Sequence, residues 1–70
     1  MNAADWIAAF AERLGVAGPT EEEFEQLLEL AGTAAHASER VAAPVSCWVA
    51  ARAGVSIEQA LRVAGEVDDG

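Results

Sequence analysis

The sequence predicts an all-α fold, a compact bundle of four short helices whose last two form a helix-turn-helix-like pair. Apolar residues recur at helical spacing along the whole chain. Helix stops and starts punctuate it at Gly15, at Gly18-Pro19-Thr20, at Pro44, and at Gly54 with Ser56. No run alternates β-branched or aromatic residues with polar ones between turn signals, so no strand is expected.

The first helix carries Trp6, Ile7, Phe10 and Leu14 on one face. Asn2 is its expected N-cap, Asp5 sits near the positive end of the helix dipole, and Gly15 is the natural stop. Thr20 and Glu23 fit a capping box at the start of the second helix, where Glu21-Glu22-Glu23 also suit the dipole. Phe24, Leu27, Leu28, Ala31, Ala34 and Ala35 follow on one face. Gly32 interrupts that stripe at a cost of about 1 kcal/mol relative to alanine, either to admit a close helix or as a tolerated defect.

The second helix is expected to fade near Ser38 to Arg40. Pro44 belongs in the first turn of a third helix, where its missing N–H is not needed. Val45, Trp48, Val49 and Arg52 form its stripe, and Gly54 closes it. Ser56 with Gln59 reads as a second capping box. Ile57, Ala60, Leu61, Ala64 and Val67 form the fourth stripe, with fraying expected at Gly65 and at Asp68-Asp69-Gly70. The expected core is Trp6, Ile7, Phe10, Leu14, Phe24, Leu27, Leu28, Leu30, Trp48, Val49, Ile57 and Leu61.

Seventy residues make one small domain, taken as residues 1–70. A chain of this length buries only about 60% of the surface its unfolded form exposes. Seventeen of the apolar residues are alanine, which leaves twenty larger apolar side chains for one thin core. Catalytic clefts of roughly 300–1,000 Å³ are usually carved from larger scaffolds. A self-contained enzyme is not expected, and no catalytic residue is assigned.

Twelve acids stand against four arginines and no lysine, for a net charge of −8. That balance disfavours nucleic acid, whose binding draws on clustered basic residues, and anionic membranes alike. No signal-peptide pattern and no run of about 20 apolar residues is seen, so a cytoplasmic protein is expected. Cys47 is the single cysteine and His36 the single histidine. Together they fall short of the three or four ligands a zinc site needs, so neither a metal nor another cofactor is expected. Cys47 reads as a small apolar residue.

The densest polar group is His36, Glu39 and Arg40. On a continuing helix, spacings of three and four residues would place His36 beside both others. An imidazole with a carboxylate and a guanidinium can bind an anion or a partner. The alternative is architectural, with His36 tying the helix end to the next loop and Arg40 capping carbonyls.

Residues Val49 to Val67 resemble the helix-turn-helix of bacterial repressors. Gly54 and Ser56 explain the turn, and the second helix would present Glu58, Gln59, Arg62 and Glu66. Two acids against one arginine is poor chemistry for phosphates and base edges. The geometry is expected without the DNA.

The stretch from Leu30 to Gly54, with Asp5-Trp6-Ile7, Phe10 and Leu14, resembles a group of small bacterial helical domains of unknown function. Those domains occur alone or fused to nucleotidyltransferases similar to the molybdenum cofactor guanylyltransferase. The matching positions are Leu30, Ala31, Ala35, His36, Glu39, Arg40, Ala42, Ala43, Pro44, Ala53 and Gly54, while Val41 and Cys47-Trp48 depart from the pattern. The resemblance implies a non-catalytic accessory or protein-interaction module in molybdenum cofactor biosynthesis. Its partner would be a nucleotidyltransferase or a molybdoenzyme, met through His36, Glu39 and Arg40. The alternatives are a homodimer that completes its core across a twofold axis and, third, a helix-turn-helix DNA-binding protein.

Overall fold

The computed structural model describes residues 1–67. Four helices form in chain order: α1 (Ala3–Leu14), α2 (Glu21–Ala37), α3 (Ala42–Ala53) and α4 (Ile57–Glu66). No strand occurs among the described residues, and the all-α bundle is the one the spacing predicts. The expected fraying of Asp68-Asp69-Gly70 lies outside the described residues, whereas Gly65 stays within α4.

Each helix carries its own terminators. The Asn2 side chain accepts from the Asp5 N–H at 2.8 Å, and Gly15 leaves α1 in the left-handed region at φ 76°. The Val16 N–H then reaches back to the Ala11 carbonyl at 3.0 Å and Gly15 to Glu12, the pair of bonds of a Schellman stop. The Thr20–Glu23 capping box closes in both directions, at 2.8 and 3.1 Å. At Ser56 only half the expected box forms: its hydroxyl accepts from the Gln59 N–H at 3.1 Å, and the glutamine side chain does not return the bond. Gln59 instead lines the groove described below.

Helix α3 starts without a side-chain cap. Its first N–H groups are taken by the preceding turn, Ala42 to the Glu39 carbonyl at 2.9 Å and Ala43 to Arg40 at 3.1 Å. Pro44, third in the helix, has no N–H to satisfy, as its expected place in the first turn requires. The Ser46 hydroxyl donates to the Ala43 carbonyl at 2.9 Å. Gly54 ends α3 at φ 73°, a conformation that costs other residues about 1–2 kcal/mol.

Helix α2 is the centre of the packing, with α3 and α4 both laid against it. Helix α1 packs on none of the others to a comparable extent. It lies beside the linker, where a Cβ at Gly18 would be in van der Waals contact with buried Ala11, and its Ile7 shares a cleft with Phe24 at the start of α2. The molecule measures 40 × 23 × 18 Å.

The expected core forms only in part. Among the described residues just Ala11, Leu30 and Ala60 are buried. Ile7, Phe24, Leu27, Ile57 and Leu61 are half-buried. Trp6, Phe10, Leu14, Leu28, Trp48 and Val49, all six assigned to the core from their spacing, are exposed. Helical spacing identifies an apolar face but not what covers it. Trp6, Phe10 and Leu14 stand on α1, which packs on no other helix to a comparable extent, and the alanine-rich faces of α2 and α3 enclose too little volume to cover the bulkier Leu28, Trp48 and Val49. Gly32 marks no close approach, since a Cβ there would meet nothing within 4 Å.

Two stability changes follow. Leu30→Ala removes the largest buried side chain and is expected to cost about 2–3 kcal/mol, the low end for such a truncation because its site borders an open groove. Gly32→Ala is expected to raise stability by about 0.5–1 kcal/mol, and the melting temperature by about 3–6 °C. Thermal denaturation followed by circular dichroism checks both.

Candidate functional site

Helices α3 and α4 both pack against α2, not on each other to a comparable extent, and a groove lies between the three. Leu30 and Ala60, both buried, lie at its base, with Ala34 and Ala37 along the α2 side. Val45, Val49, Ala50 and Ala53 form the α3 wall. Val63, Ala64 and Val67 form the α4 wall, and Val55 in the connecting turn lines the same space. The volume is about 530 Å³. Among the described residues Thr33, Ser38, Ser46 and Gln59 are its polar lining, and no charged side chain of theirs lines it. Ser46 already donates to Ala43.

This chemistry suits an apolar surface. Small-molecule sites combine apolar walls with a few convergent polar or charged groups that fix orientation. Here the walls are valine and alanine, and there is no ionised group to orient a polar substrate. The valines stand open: Val45 59%, Val49 54%, Val63 49% and Val67 66% exposed.

A second apolar surface lies on α1. Trp6, Phe10 and Leu14 are 54%, 49% and 62% exposed at a spacing of four residues. The Trp6 and Phe10 rings stack with centroids 5.1 Å apart and 24° between planes, which holds them as one flat patch. Trp48 projects from α3 with the Arg52 guanidinium 5.6 Å from its ring centroid, a cation–π contact one helical turn apart.

The polar residues singled out in the sequence fall differently. His36 sits in the last turn of α2, which ends at Ala37. Ser38 then turns the chain sharply, at φ −137° and ψ −106°. Glu39 and Arg40 therefore leave the helix and do not share its face with His36. All three are exposed, and no side-chain hydrogen bond or ion pair joins them among the described residues. The backbone does use this segment, since the Glu39 and Arg40 carbonyls accept the first two N–H groups of α3. Cys47 is half-buried, and no group of three or more His, Cys, Asp or Glu stands close enough to hold a metal ion among the described residues. No helix among them is long and apolar enough to cross a membrane.

Sequence reasoning missed the groove because it assigned apolar residues to a core. A signal was present: the pairs Val45–Val49 and Val63–Val67 repeat at four residues beside alanine-rich faces that cannot fill the space between them.

A family model described as Domain of unknown function (DUF6457) matches residues 1–69. No curated protein and no solved structure matches the chain.

With no side-chain partner to lose, the double substitution His36→Ala/Arg40→Ala is expected to change stability by less than about 0.5 kcal/mol. Chemical denaturation beside the unsubstituted protein measures this. A loss of several times that size would make the cluster architectural.

Proposed function

The chain belongs to the family described as Domain of unknown function (DUF6457), and within it we propose a non-catalytic protein-interaction domain that accepts a helical segment of another protein chain. The observation that carries this reading is the open, uncharged groove between α2, α3 and α4. Amphipathic helices are recognised by such surfaces, their apolar anchors entering at intervals of three and four residues. An α-helix with its side chains is about 10–12 Å across, so only one face of it enters a groove of this kind. The groove supplies apolar area without a group that would act on a bond. The exposure of so many valines also supports the reading, because contiguous apolar patches on soluble domains mark interaction surfaces.

The similarity of Leu30–Gly54 to domains fused with molybdenum cofactor guanylyltransferase-like enzymes supplies the setting. In it, the domain is an accessory to a nucleotidyltransferase or molybdoenzyme in the synthesis of molybdopterin guanine dinucleotide. The exposed His36, Glu39 and Arg40 at the α2–α3 turn then form a polar edge beside the apolar surface.

A photo-crosslinking amino acid at Val63, on the groove wall, tests the docking in intact cells, with the same group at exposed Glu22 as control. Discrete protein adducts from position 63 alone are expected, identified by mass spectrometry. No adduct there would overturn the docking. Adducts without any nucleotidyltransferase or molybdoenzyme would remove the molybdenum setting and leave the docking.

A further inference from the structure

Taking the groove as a protein-docking surface, we propose that its occupant is α1 of a second copy of this chain, exchanged reciprocally in a twofold dimer. The molecule carries both halves of the contact, and neither is used within the chain. Trp6, Phe10 and Leu14 form an exposed stripe at i, i+4 and i+8 on a helix that packs on none of the others to the extent that α3 and α4 pack on α2. That stripe is about 12 Å long and the α3 wall from Ala42 to Ala53 about 17 Å, at 1.5 Å per residue. The groove therefore accepts the whole stripe.

Area points the same way. The three stripe residues and the open groove valines leave on the order of 800 Å² of apolar surface in water, about what one partner contributes to a stable interface. Among the described residues no charged side chain lines the groove, so the described carboxylates of two chains of net charge −8 need not face each other there.

Exchange between chains also disturbs less than closure within one. For α1 to swing onto its own groove, Ile7 would leave the cleft it shares with Phe24, and buried Ala11 would leave its place beside Gly18. Docking on a second chain keeps both contacts and covers only residues that are already exposed.

Complementation in sedimentation velocity tests the proposal with the full chain, at about 1–100 µM, a range suited to interfaces of this size. Phe10→Asp spoils the stripe and Val49→Lys spoils the groove. Both residues are about half exposed, at 49% and 54%, and unchanged circular dichroism establishes that each variant folds. The unsubstituted protein is expected to dimerise, and each variant alone to weaken by about thirtyfold or more. Mixed in equal amounts they should form a dimer again, because one stripe and one groove remain intact on opposite chains and the two introduced charges, of opposite sign, meet at the other contact. Raising salt from about 0.05 to about 0.5 M should tighten the dimer by screening the like charges.

A mixture that stays monomeric, while the unsubstituted protein dimerises, would overturn the reciprocal contact in favour of like meeting like. An unsubstituted chain that is monomeric throughout would overturn the second copy as occupant. If the Val63 crosslinker then still captured another protein, the docking reading would stand without it, and if it captured nothing both would fall.

Discussion

The side chain of Leu30 is the largest that this fold withdraws from water, and α3 and α4 are both arranged around the helix that carries it. Everything else about the packing follows from how little accompanies it. The residues flanking Leu30 toward the other helices are chiefly alanine, and Ala60 answers it from α4. Alanine permits close approach and costs no side-chain entropy, but each one withdraws little apolar area. The helices are thus well specified individually and weakly held together. A domain of this size has only a few kcal/mol of stability to begin with.

The apolar side chains that do have bulk are distributed to the outside. Trp6 and Phe10 stack on each other, Trp48 pairs with Arg52, and the valines of α3 and α4 face the space between the helices. These arrangements shield each group partly and locally, through neighbours one helical turn away. None substitutes for a core. The groove contrasts with a chain of net charge −8, because none of the acids among the described residues lines it.

Much of the local architecture is legible in the sequence. Asn2, Thr20 with Glu23, Ser56, Gly15 and Gly54 bound their helices where capping chemistry places them. Such contacts lie within a few residues, so pattern and outcome are tied by short-range geometry. The burial of Trp6, Phe10, Leu14, Leu28, Trp48 and Val49 was not legible in this way. Periodicity says which side of a helix is apolar, and whether another helix covers that side depends on angles set by residues far along the chain. His36, Glu39 and Arg40 illustrate the same limit in miniature. Their spacing suits one helix face, but α2 stops at Ala37 and the turn at Ser38 separates them.

The self-contained helix ends have a consequence for the speed of folding. Each cap closes over three or four residues, and the links between helices, at residues 15–20, 38–41 and 54–56, are short. Contacts that are near in sequence need little loop closure, and helical chains of this kind reach their fold in microseconds to milliseconds. The nucleus of each helix can form before any long-range contact exists. For a chain with so little interior to search for, the slow event in reaching the proposed dimer is then diffusion, the time two finished surfaces take to find each other.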